Sequence, residues 1–217
     1  MKSNVTSMYR HHKSLKINQG DIFRDLNIIT EYYNNDSSLD VNEFNIEDVK
    51  QFKFPYFVVL SQACDLDKDY DSFQKYVYYN EKYDLGSLNN IPNNDLQSIY
   101  SMYDKLLPSI LLCPAFPATS LREGEHLKNY DNYILNRINS KDWDKVKKNN
   151  MSRYHFLKED LDFQIPNLVI DFKRYYTVPT SYLYSSFDEL YLSSLNELYR
   201  EHLSQRFTNY LSRIGLP

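Results

Sequence analysis

The run Pro55-Tyr-Phe-Val-Val-Leu-Ser-Gln-Ala-Cys-Asp-Leu66 constrains the fold more than any other stretch of this chain. Five apolar residues in succession, Tyr56 to Leu60, predict a strand buried on both faces. The run then breaks into Ser61, Gln62, Cys64 and Asp65. Such a strand delivers reactive or binding side chains at its end. No other stretch gathers so many chemically useful groups in so few residues.

Further elements follow from pattern. Ile17 to Ile29 reads as a first strand, entered through a Gly20-Asp21 turn. Ile110 to Phe116 predicts another buried strand, and Asn167 to Phe172 one that continues through Tyr175 and Tyr176 to Val178. Arg153-Tyr-His-Phe-Leu157 reads as a short alternating strand. The spacing of Leu96, Ile99, Tyr103 and Leu106 predicts a helix that Pro108 stops. Residues 119–148 are helical by composition. From Ser194 onward, Leu195, Leu198, Tyr199, His202, Leu203, Phe207, Tyr210, Leu211 and Ile214 fall at helical steps. They predict a long amphipathic helix with Gly215 as its C-cap. Residues 1–16 read as a disordered segment or an arm, 34–40 and 86–94 as a loop and a linker, and Phe44 to Phe52 as a connector or short strand. Asp65 to Asp71 reads as a solvated acidic loop. It lacks the central Gly and terminal Glu of a calcium loop.

Composition excludes several classes. Four glycines leave no Gly-rich phosphate loop, while 21 tyrosines fit either a coding bias or base-stacking aromatics. A net charge of −4 argues against a duplex-DNA footprint over the whole chain. Local basic groups remain at Arg10 to Lys13, Lys145 to Lys148 and Lys173-Arg174. Two cysteines, Cys64 and Cys113, each end an apolar run and predict buried, reduced thiols. No C-x-x-C or H-x-x-x-H spacing occurs, so neither a metal nor a cofactor is expected. No stretch approaches the roughly 20 apolar residues of a membrane span, and Met1 to Ile17 has no apolar signal core. The expectation is a cytoplasmic protein without membrane contact.

Gly20-Asp21-Ile22, Pro55 to Ser61, Leu111-Leu-Cys-Pro114 and Leu168 to Val178, followed by a terminal helix, resemble the MazF/PemK-like toxins in order and character. The resemblance implies an α+β fold on a small SH3-like antiparallel β-barrel. The barrel core would fall at about 17–66, 108–118 and 152–180, with helical insertions at about 94–107 and 119–148 and a C-terminal helix at about 194–214, all in one domain of 217 residues. It also implies a place in a bacterial conflict or toxin–antitoxin-like defence system. Many such proteins cleave single-stranded RNA, using an Arg just before the second strand's Pro and a Thr after the third strand's Pro. This chain departs at both positions. Phe54 precedes Pro55, with Lys53 one step further back, and Ala115 and Phe116 follow Pro114.

Arg153 and His155, two apart on one strand, share a face. Together they can bind a phosphate and shuttle a proton, with Asp65 orienting His155 and Lys53 assisting. This pair is expected to face Ser61, Gln62, Cys64 and Asp65. The plainer reading is an ion pair between Arg153 and Asp65 that stitches strands together. A Cys64–His155 nucleophilic pair is a further option without a local signature. On the terminal helix, Arg200 and Arg206 are candidate binding residues. That helix is expected to dock a protein partner or a second copy of the chain. Two functions stay open at this point. One is a non-catalytic binding or regulatory module; the other is a metal-independent endoribonuclease acting on single-stranded RNA.

Overall fold

A computed structural model describes residues 7–12, 14–31, 49–86, 88, 91–131 and 135–212. The fold is α+β. Among the described residues, eight strands form one antiparallel sheet in the order β1-β8-β2-β3-β4-β6-β5, with β7 pairing β4. They are β1 (Tyr9–Arg10), β2 (Asp21–Glu31), β3 (Val49–Val59), β4 (Ser109–Pro117), β5 (Tyr154–Leu157), β6 (Leu168–Asp171), β7 (Tyr176–Pro179) and β8 (Tyr191–Leu195). The helices are α1 (Ala63–Lys82), α2 (Asn93–Tyr103), α3 (Ala118–Glu123), α4 (Lys128–Asp131), α5 (Ser140–Lys147), α6 (Thr180–Ser185), α7 (Phe187–Leu190) and α8 (Glu197–Leu211).

The sheet is apolar on both faces because helices cover both. Along β4, Ile110, Leu112 and Phe116 join Leu121, Trp143, Val146, Leu183 and Phe187 from the short helices. Cys113 and Ala115 point the other way, into a layer with Leu203 and Phe207 of α8. This period-2 division explains why the buried strands read as continuous apolar runs. It slips once. Phe23, Leu26, Phe54 and Phe57 all join the first layer although their spacing is odd. The cause lies between the pairs Arg24↔Tyr56 and Leu26↔Phe54, where Asp25 and Pro55 lie opposite each other. Asp25 has a φ of 55°, and Pro55 has no N–H to give the ladder. Both strands therefore change phase together.

Several expectations are corrected. The second strand begins at Val49, well before Tyr56. Residues 65–71 are the opening turns of α1 rather than a solvated loop. Aspartate suits the start of a helix, where the peptide dipoles favour negative charge. Asp69 is fully buried and accepts from the Leu107 N–H at 2.7 Å and from the Tyr184 hydroxyl at 2.7 Å. The terminal helix starts at Glu197, and Ser194 belongs to strand β8. Part of the N-terminal segment is strand β1, paired with β8. Residues 34–40, the first part of the Phe44–Phe52 connector, Ile214 and Gly215 lie outside the described residues. Gly124 caps α3 at φ +81°, and a Cβ there would overlap the Leu135 carbonyl.

Strand β5 is one edge of the sheet, and two side chains close it. Asn149, at φ 57°, accepts from the Phe156 N–H at 2.6 Å and donates to its carbonyl at 3.2 Å. Arg206 donates to the carbonyls of Tyr154 (2.8 Å), Met151 (2.6 Å) and Asn149. An unpaired edge is a template for association. Asn149→Ala removes both bonds at a left-handed position that Asn tolerates better than Ala. It is expected to cost about 2 kcal/mol in urea unfolding and to raise light scattering with concentration. An unchanged midpoint and scattering would show that the edge is closed by other means.

Candidate functional site

The Ser61–Asp65 cluster sits where β3 runs out. The Ser61 hydroxyl accepts from the Leu111 N–H at 2.9 Å and so extends the β3–β4 ladder by one bond. Gln62 is exposed at the N-cap position of α1 and makes no side-chain cap bond. Cys64 is exposed, against the expectation of a buried thiol, because the helix turns it outward. Its Sγ lies 3.7 Å from Gln62 Oε1 and 3.6 Å from Asp65 Oδ1. Strands β4 and β6 separate β3 from β5. Among the described residues no hydrogen bond or ion pair joins this cluster to Arg153 or His155. Lys53 lies on the β2–β3 ribbon, exposed, 3.4 Å from Asp25.

Arg153 finds a different carboxylate from the one expected. It precedes β5 and grips Asp171 with Nε at 2.7 Å and Nη2 at 2.6 Å. Asp171 is fully buried. It also accepts from the Lys173 N–H at 3.2 Å, and Arg174 Nε lies 3.9 Å away. The sheet explains the crowding. β4 pairs with β6 through Ala115–Pro117 and with β7 through Ser109–Leu112, so Cys113 and Pro114 face the break between β6 and β7. Pro114 has no N–H to hold the strand there. The Cys113 thiol donates to the Asp171 carbonyl at 3.1 Å, and burial pushes its pKa up. The hydrogen bonds that Arg153 donates to Asp171 raise the Arg153 pKa. His126 packs edge-on to Phe116 with centroids 4.9 Å apart. Both its ring nitrogens are buried without a hydrogen-bond partner, and burial lowers its pKa to about 4.

His155 points to the opposite layer. It is 2 % exposed, beneath α8, with its ring 6.2 Å from Phe172 and 5.2 Å from His202. Burial first, then the nearby Arg206 and His202, lowers its pKa to about 3. Arg206 itself is used on the edge carbonyls. Arg200 lays its stem over Gly20, with Nη2 3.7 Å from Glu197. Leu203 and Phe207 commit the apolar face of α8 to the chain's own sheet.

A second polar node comes from residues that sequence reasoning did not single out. The buried Asp21 carboxylate accepts from the Asn18 N–H at 2.7 Å and the Ser194 hydroxyl at 2.5 Å. His12 Nε2 lies 3.2 Å from it. Tyr191 Oη is 2.8 Å from Ser194 Oγ, and His12 Nδ1 is 3.0 Å from the Ser14 carbonyl. The available signals were the Gly20-Asp21 turn and the basic run at Arg10. Ser, His and Asp meet here, but the serine proton goes to the carboxylate and no imidazole faces the hydroxyl. A nucleophile needs that base. The node pins the N-terminal arm to the sheet.

The described surface also carries a groove of about 790 Å³ between α1 and α2, lined by Asp71, Lys75, Tyr78, Asn94, Gln97 and Ser98 among others. Among the described residues no group of three or more His, Cys, Asp or Glu is placed to hold a metal. No described helix is long and apolar enough to cross a membrane. No family model, curated protein or solved structure matches the chain.

Proposed function

We propose that the chain is a non-catalytic binding or regulatory module built on a toxin-like MazF/PemK-type barrel and acting in a bacterial conflict or defence system. The observation that carries this reading is the fate of Arg153 and His155. Arg153 is held side-on by the buried Asp171, and His155 is sealed on the other layer under α8. RNA cleavage without a metal needs a cation and a base on one reacting group. These two side chains serve different faces of the sheet. The departures at Phe54 and Ala115 from the toxin pattern support the same reading.

The test is incubation of the purified protein with mixed-sequence single-stranded RNA in EDTA. The RNA is expected to stay intact. Cleavage that copurifies with the protein, and is lost in Arg153→Lys while the circular dichroism spectrum stays native, would overturn the proposal in favour of an endoribonuclease.

A further inference from the structure

Helix α1 is buried only along its first half, through Leu66, Asp69 and Ser72. Beyond that, α1 and α2 share a small core of their own. Ile91, Ile99 and Met102 are buried there beneath Tyr76, Tyr79 and Tyr83. The groove along the outside of this hairpin is lined by amides, hydroxyls and one charge of each sign. It suits a polar protein surface rather than an apolar ligand.

The charges on α1 have an order. Lys68, Asp71, Lys75 and Tyr78 recur at steps of three and four, which is one stripe of a helix. All four are exposed, Tyr78 by 56 %. Asp71 and Lys75 lie one turn apart, the spacing at which such a pair closes within a helix. Among the described residues neither makes an ion pair. The stripe is complementary to itself when reversed. A two-fold axis crossing α1 near Phe73 sets Asp71 against the Lys75 of a second copy, and Lys75 against its Asp71. The same axis sets Tyr78, whose ring already lies 5.7 Å from its own chain's Lys82, against the second copy's Lys68, a second cation at the aromatic ring.

We infer that the outer face of the α1–α2 hairpin is a self-association surface whose occupant is a second copy of this chain, related by a two-fold axis across α1. The contact is isologous, so each residue pair occurs twice. A helix of this length is about 30 Å long, which places the contact at the small end of specific interfaces. A dimer that dissociates in the micromolar range is expected. This inference is independent of the binding-module reading, which the RNA experiment tests separately.

Sedimentation velocity over micromolar concentrations tests it. The wild-type protein is expected to pass from one chain to two. Asp71→Lys and Lys75→Asp each set like charges together twice, and each is expected to weaken the dimer at least about tenfold. An equimolar mixture of the two variants is expected to form the heterodimer. The double variant D71K/K75D restores complementarity in every chain and is expected to self-associate like the wild type. A wild-type protein that stays monomeric throughout, or single variants that dimerise as the wild type does, would overturn the inference.

Discussion

Replacing Arg153 with Ala is expected to lower folding stability by about 3 kcal/mol. The substitution leaves Asp171 buried without the two hydrogen bonds, at 2.7 and 2.6 Å, that hold it. Losing one partner of a buried pair costs more than losing both, because the remaining charge keeps its desolvation penalty. The figure is set at the low end of the range because Arg153 is 29 % exposed and Arg174 remains 3.9 Å from the carboxylate. The double variant Arg153→Met, Asp171→Leu removes both charges and is expected to recover most of the loss. Urea unfolding of the three proteins checks this. A single variant within about 0.5 kcal/mol of wild type would place the site among ordinary surface positions.

Acid is expected to destabilise the fold between about pH 6.5 and pH 3, through His126 and His155. In the unfolded chain both titrate near the ordinary value of about 6.5. In the folded chain burial holds them at about 4 and about 3. As pH falls below 6.5 the unfolded state takes up protons that the folded state refuses, so stability falls. The contribution is fully present above pH 6.5 and is lost progressively toward the folded values. At pH 5 each histidine is expected to account for about 2 kcal/mol of loss relative to pH 7. His126→Phe and His155→Phe should each flatten their share of the profile. His126→Phe should cost little at pH 7, since the ring's nitrogens have no partner to lose. Unfolding midpoints with the same slope against pH in both variants would remove the histidines from the account.

The sheet's core was legible because strands buried on both faces leave unbroken apolar runs, as at Tyr56–Leu60, Ile110–Phe116 and Leu168–Ile170. Strand β8 was not, because its buried residues include Ser193 and Ser194. Their hydroxyls donate to the Arg10 carbonyl and the Asp21 carboxylate, far off in sequence. Leu195 and Leu198 also continue the helical spacing of α8 backward and draw its start to Ser194. Helix α1 was hidden by its aspartates. The burial of Asp69 depends on Leu107 and Tyr184, which no local pattern reveals. The Arg153 site was half legible. A charged residue at the end of a buried strand is the signal that drew attention to Asp65, and Asp171 ends Leu168–Asp171 in the same way. Which of the two meets Arg153 is decided by register, since Tyr154 pairs with Asp171.

The mooring of α1 at Asp69 has a mechanical consequence. Past that residue the helix runs on for about 20 Å, supported by α2. A load at the far end of such a cantilever acts on its root. There one carboxylate ties the helix both to the entrance of β4, through Leu107, and to α6, through Tyr184. Whatever rests on the hairpin therefore pulls on β4 and on a helix covering the sheet's first layer, through the Asp69 carboxylate together with the Phe73–Tyr184 stack and the buried Leu66.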